Sequence, residues 1–231
     1  MIIVDNPFPL QFTPEVDRIN GISLILRVKN GEDFLKICIL NIIDEVDEII
    51  AVFNDSTDST EDILHEIEDQ YPEKFKVFKY LPKVYPPNDE YYQKNKIRDD
   101  DPHSLSHYYN FALSKTTYTH VCKFDDDNLM FPGMFQKLKA DVEKLDNKKC
   151  IGLQGINLFD LNGKLYVNMN VPFTSGYDTL MFKYNNSCNF IQLKEYELFR
   201  SNYNRAIRTE ISFFHLKFCK IDRGQNNYVV N

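Results

Sequence analysis

Three consecutive carboxylates, Asp125, Asp126 and Asp127, follow directly on the apolar stretch Tyr118–Phe124. Like charges this close repel one another unless solvent or a cation compensates them. Oxygen ligands suit a hard divalent cation such as Mg²⁺ or Mn²⁺, and such ions commonly bridge diphosphates. A solvated acidic turn, or the N-cap of a following helix, would account for the same triplet. A second polar cluster, Asn54-Asp55-Ser56-Thr57-Asp58-Ser59-Thr60, follows the apolar stretch Glu48–Phe53. Position favours the functional reading, because both clusters should lie on one edge of a single sheet.

The elements needed to hold them there follow from periodicity. Residues 22–28 (ISLILRV) read as a buried strand, and Asn30-Gly31-Glu32-Asp33 as a turn. Phe34 to Ile43 then reads as a helix, Glu48–Phe53 as a second strand and Phe75–Tyr80 as a third. Between the last two, Ile63, Leu64, Ile67 and Tyr71 mark one face of a helix, which Asp58 and Glu61 could open as a capping box. Strand–helix–strand–helix–strand implies a parallel sheet with right-handed crossovers, whose ligand sits beyond the carboxyl ends of the strands. Residues 81–103 interrupt this order with four prolines and a charged run, as either a substrate lid or a solvated insertion. Ser104 to Ser114 reads as a helix, Tyr118–Phe124 as a buried strand and Met134–Leu145 as another helix. Residues 150–159 and 164–171 read as an antiparallel pair around Asn162-Gly163.

Composition bounds the function. The chain has 231 residues, enough for one sizeable α/β domain over 1–231, with 43% hydrophobic and 26% charged residues. A formal net charge of −7 argues against a nucleic-acid surface. Five singly scattered cysteines without a C-x-x-C pair argue against a disulfide framework and for a reducing, cytoplasmic compartment. No signal-peptide pattern opens the chain, and no apolar run approaches the roughly 18 residues of a membrane span, so any membrane contact is expected to be peripheral at most, at the inner face.

Two segments resemble family 2 glycosyltransferases. Ile22–Leu64 (ISLILRVKNGEDFLKICILNIIDEVDEIIAVFNDSTDSTEDIL) is similar to that family's opening strand, turn, helix, "VDEIIVV" and D-D-G-S-T-D-x-T cluster. Ser106–Asp127 (SHYYNFALSKTTYTHVCKFDDD) resembles its helix with N-x-A-L and the strand ending in D-x-D. The resemblance implies a GT-A fold: a Rossmann-like, mostly parallel sheet flanked by helices, with a small antiparallel strand pair in the C-terminal half. Residues 1–128 would bind the nucleotide sugar and 129–231 the acceptor. It further implies a Mn²⁺ or Mg²⁺ cofactor, a nucleotide-diphosphate-sugar donor (UDP-sugar by default) and a glycan or lipid-linked acceptor.

Carried over residue by residue, Asp125 faces the donor ribose and shares the metal with Asp127, while Asp126 shapes the turn beside the donor. Arg27, Val28 and Asn54 surround the nucleobase and ribose. Phe53 and Asn54 stand where the family often has two aspartates, which leaves the base open. Lys194–Arg200 (KEYELFR) resembles the family's E-D-x-E-L-x-x-R element and assigns Glu195 as the general base of an inverting displacement. A solvated, ordinarily charged segment is the alternative there. Asp178, beside Gly176, is a rival base because glycine turns approach substrates closely. His215 resembles a late histidine metal ligand, with Lys217 or Lys220 offsetting donor phosphate; a core histidine bonded to the backbone is the alternative. A nucleotidyltransferase would normally show a glycine-rich loop after the first strand, where only Gly31 is present. A non-catalytic nucleotide- or glycan-binding module and a metal-dependent phosphohydrolase remain as rivals.

Overall fold

The computed structural model describes residues 1–220 apart from 88, 145–148, 176–177, 194–196 and 203, with 149 and 204–209 described by backbone alone. Glu195 therefore lies outside the described residues. The strands are β1 (Ile2–Val4), β2 (Ile19–Val28), β3 (Glu48–Phe53), β4 (Phe75–Tyr80), β5 (Tyr118–Phe124), β6 (Asn128–Met130), β7 (Lys149–Leu161), β8 (Lys164–Val167), β9 (Leu180–Lys183), β10 (Asn189–Gln192), β11 (Glu197–Arg200) and β12 (Asn204–Phe218). The helices are α1 (Leu35–Ile42), α2 (Thr60–Gln70), α3 (Glu90–Asn95), α4 (Leu105–Ser114) and α5 (Met134–Lys144).

Ten strands form one sheet in the order β1-β4-β3-β2-β5-β9-β7-β12-β6, with β8 paired to β7; β10 and β11 form a separate antiparallel pair. The first five strands of that order run parallel to one another, and β9 then enters antiparallel beside β5. The sheet is thus mixed α/β and mostly parallel in its N-terminal half, as expected. Alternation explains why β2 and β3 read as continuous apolar runs. Leu24 and Leu26 with Ile49 and Ala51 face α1, α2 and α5, while Ile25 with Ile50 and Val52 faces α4. Both faces are covered, so both alternating sets are apolar.

The chain order reverses at β2, which has β3 on one side and β5 on the other. A ligand crevice is expected at the carboxyl ends of strands at such a reversal. Ser104 starts α4 by accepting a hydrogen bond from the His107 backbone N–H at 3.0 Å. The start of α2 keeps half of the expected capping box: Asp58 Oδ1 accepts from the Thr60 N–H at 3.0 Å, while Glu61 pairs with Lys79 at 2.7 Å. Asp58 accepts from the Glu32 N–H at 3.1 Å, and Glu32 accepts from the Ser59 N–H at 3.0 Å, tying this helix to the Gly31 turn. The 81–103 interruption contains α3, and Asn162-Gly163 turns with both φ positive (56° and 76°), as a tight two-residue hairpin requires. Among the described residues, no helix is long and apolar enough to cross a membrane.

Candidate active site

A cleft of about 190 Å³ opens at the carboxyl ends of β2 and β5. Arg27 from β2, Lys123 from β5 and the Asp125–Asn128 turn form its floor. Asp178, Glu197 and His215 close it from the C-terminal half. The turn is held by strand pairing: His215 lies opposite Asn128 where β12 meets β6, and the Leu216 N–H donates to the Asp127 carbonyl at 2.8 Å. This pairing sets the imidazole beside the carboxylates despite their separation in sequence.

His215 Nε2 lies 3.5 Å from Asp127 Oδ1. Its other nitrogen, Nδ1, is 2.6 Å from Asn157 Oδ1. The Asn157 amide nitrogen donates to the Val171 carbonyl at 2.8 Å, so its oxygen must face the ring and Nδ1 must carry the proton. Nε2 then faces Asp127 either as the second N–H of an imidazolium or bare, with a cation between the two. Metal-ligating histidines almost always donate their other ring N–H to an oxygen acceptor behind the ring, the place that Asn157 Oδ1 takes here. A carboxylate oxygen and a bare imidazole nitrogen suit Mn²⁺ or Mg²⁺, ions that take one or two protein ligands and complete their shell with water and phosphate. The pair fits such an ion.

The remaining acidic oxygens face a buried lysine. Lys220 Nζ lies 3.1 Å from Asp127 Oδ2 and 3.3 Å from Asp126 Oδ2, with only 5% of the residue exposed. Burial pushes Asp126 up to about 7, with Asp127 adding to the shift and Lys220 opposing it. Burial would raise Asp127 too, but the hydrogen bond from His215 and the charge of Lys220 hold it well below the usual carboxylate range. Asp126 also packs on the Gly31 turn, where a Cβ would come 2.5 Å from its Oδ2; only glycine leaves that room.

The opposite wall is cationic. Lys123, 5% exposed, donates to the Asp178 carbonyl at 2.9 Å and lies 3.6 Å from Glu197 Oε1. Burial alone would lower its pKa, but Tyr109, Asp125 and Glu197 outweigh burial and raise it. The Arg27 guanidinium sits 5.3 Å over the Tyr109 ring, and its Nε is buried without a hydrogen-bond partner. Asp125 belongs electrostatically to this side. Burial raises its pKa, and Lys123 is the strongest influence against that shift.

Several expected site residues are therefore together: Arg27, Asp125, Asp126, Asp127, Asp178 and His215 all line the cleft. Asn54 and Val28 do not. The Asn54 amide donates to the carbonyls of Tyr80 and Pro82 at 2.7 and 2.8 Å and accepts from the Val84 N–H at 3.3 Å, so it binds the chain instead of a base. Val28 is fully buried in the core. A three-ligand metal set of Asp125, Asp127 and His215 is also not assembled, since no such group exists among the described residues. Of the two lysines expected near donor phosphate, Lys217 lines the cleft, whereas Lys220 pairs with the carboxylates and does not. Lys123, Glu197 and Asn157 were missed. A lysine inside the otherwise apolar β5, directly before the aspartates, was the available signal for the first.

Comparison with known proteins bears on this geometry. Residues 23–80 match the family model described as glycosyl transferase family 2. The solved structure of S. aureus TarS, residues 1–349, matches with a TM-score of 0.51 at 12% identity, over 85% of this chain and 60% of that one. The fold is that of the family 2-like glycosyltransferases. A second structure, glucosyl-3-phosphoglycerate synthase from Mycobacterium tuberculosis with Mn²⁺, uridine diphosphate and phosphoglyceric acid, matches at 18% identity and a TM-score of 0.40, over 64% of this chain and 45% of that one. The present chain thus spans 60% of the length of the TarS structure. No curated protein sequence matches it. Within this family 2-like GT-A fold, the cleft lies where the sheet reverses its order, and the Asp125–Asn128 turn forms its floor.

Proposed function

We propose that the chain is a metal-dependent glycosyltransferase moving a sugar from a nucleoside-diphosphate donor to a hydroxyl of a glycan or lipid-linked acceptor, with inversion. One observation carries this reading: Asp127 Oδ1 and His215 Nε2 face each other at 3.5 Å, with the tautomer fixed by Asn157. A divalent cation bound there would neutralise charge developing on the leaving diphosphate. Across the cleft, the unpartnered Arg27 Nε–H offers a buried donor to an anionic or carbonyl oxygen of the donor. Asp125 reaches the ribose, and Asp126 completes the turn beside the donor.

In the transfer, the bond from the anomeric carbon to the diphosphate oxygen breaks and a bond to the acceptor oxygen forms. The acceptor proton passes to a carboxylate. Asp178, exposed at the mouth of the cleft, and Glu195 are the two candidates. A UDP-sugar is the default donor, and a cytoplasmic site of action agrees with the free cysteines.

The test is a thermal-shift panel of nucleoside diphosphates and nucleotide sugars, with and without Mn²⁺, on wild type and Asp127→Asn. A ligand at a hundredfold excess over Kd stabilises the folded state by about 2.7 kcal/mol. A Mn²⁺-dependent shift with one nucleotide, absent in the variant, is the expected result. A shift indifferent to both metal and Asp127 would leave the non-catalytic binding module, and none at all would remove the transferase reading.

A further inference from the structure

A second groove, about 890 Å³ in volume, lies beside the cleft between α3, the segment that follows it and the end of β10. The two cavities share a wall. Gln192, in the groove, is paired across the β10–β11 ladder with Glu197, which lines the cleft. Asp99 joins them again: its Oδ1 accepts from the Gln192 N–H at 2.6 Å and from the Ser106 hydroxyl at 3.3 Å, one residue beyond the cleft-lining Leu105. The groove therefore has a built connection to the place where transfer would occur.

Its lining selects a chemical class. Gln192 Oε1 is buried without a hydrogen-bond partner, while its Nε2 donates to the Leu193 carbonyl at 2.8 Å, which fixes the amide with the oxygen unsatisfied. That oxygen needs a donor. Arg98 and Asp100 pair with each other at 3.2 Å, Lys96 offers only donors, Asp99 only acceptors, and Tyr92 adds an aromatic face. An apolar ligand would leave Gln192 unsatisfied, and a phosphate-rich one would meet two aspartates. A polyhydroxyl ligand, donor and acceptor at every oxygen and without net charge, satisfies all of them. The size lies within the usual range for small-ligand sites, roughly 300–1,000 Å³.

We infer that this groove is the subsite for an uncharged acceptor sugar, an assignment that rests on the transfer reading above. The probe is a panel of methyl glycosides of common hexoses and hexosamines, followed by saturation-transfer NMR with Mn²⁺ and uridine diphosphate present. At least one glycoside should bind wild type, and Tyr92→Ala and Gln192→Leu should each weaken it by at least tenfold. Nucleotide affinity, measured in parallel by calorimetry, should stay within twofold in both variants and report that they are folded. Equal glycoside affinity in wild type and variants, or no glycoside binding at all, overturns the groove. Glycoside binding lost in the variants without any nucleotide binding in wild type keeps a sugar site here and sinks the transferase instead.

Discussion

Arg27 and Lys123 on one wall of the cleft face Asp178 and Glu197, while Asp126 and Asp127 on the other face Lys220 and His215. Each wall joins one sign of charge from the N-terminal half to the opposite sign from the C-terminal half. The walls differ in what they leave open. On the acidic side, Lys220 takes one oxygen of each aspartate, and Asp127 Oδ1 is left facing His215 Nε2. On the cationic side, Lys123 is enclosed and Arg27 Nε remains without a partner. With Nε2 bare, one wall would offer two electron-pair donors to a cation, while the other offers an N–H to an anion. Under the proposed function this is the complement of a metal–diphosphate pair, with Lys123 joining the two halves and Asp127 with His215 holding the ligand.

The largest effect expected from this comparison is at Lys123. Lys123→Met removes a cation that is enclosed with Glu197 and Asp125, leaving buried carboxylates short of a counter-charge. Breaking such a buried pair from one side typically costs about 3–5 kcal/mol. Urea unfolding of the metal-free protein should show a loss of that size. A loss below about 1 kcal/mol would mean that water already reaches Glu197 and that this wall is no clamp.

A smaller and more selective effect is expected behind His215. Asn157→Leu removes the acceptor that fixes the tautomer, and supporting groups of this kind typically carry about 10- to 100-fold in metal affinity. Asn157→Asp keeps an acceptor oxygen at the same place and should retain the affinity. Electron paramagnetic resonance of Mn²⁺ in the presence of uridine diphosphate reads both. Equal weakening in the two variants would show that Asn157 matters through its bond to Val171 and not through the ring.

The two halves also differed in how far the sequence disclosed them. In β2, β3 and β5 the apolar run is buried on both faces and bounded by polar residues, so the run itself announces the element. Asp125–Asp127 are contiguous, and His215 stands out among Phe213, Phe214 and Leu216; such local signals need no partner to be seen. Asn157 gains its role only from the parallel register that sets it opposite His215. Glu197 gains its role only because β10 and β11 form a pair off the main sheet. Neither register is written in local periodicity. β12 was hidden because it is long, irregular in pairing and polar at alternate places, with shifts at Ile207, Ile211 and His215. Asn54 failed for the converse reason. Its place at the end of a parallel strand pointed to a ligand, yet the chain at 80–84 crosses that strand end and consumes the amide.

The smallest effect concerns the two neighbouring aspartates, whose shifts run in opposite directions. Asp126 has its pKa raised to about 7 by burial, so the folded protein keeps a proton that the unfolded chain releases near pH 4. Stability from this group is present below pH 4 and is lost as pH rises toward 7, with a slope of at most about 1.4 kcal/mol per pH unit. Asp127 is shifted downward, so its contribution is present above pH 4 and is lost only under more acidic conditions. The windows do not overlap. Between pH 5 and 7, metal-free Asp126→Asn should therefore gain stability steadily relative to wild type, since asparagine approximates the protonated acid and Lys220 retains Asp127 as its partner. Denaturant unfolding at half-unit steps of pH would read this difference. Parallel curves across that range would mean that Lys220 keeps Asp126 ionised throughout, and that it neutralises both aspartates equally.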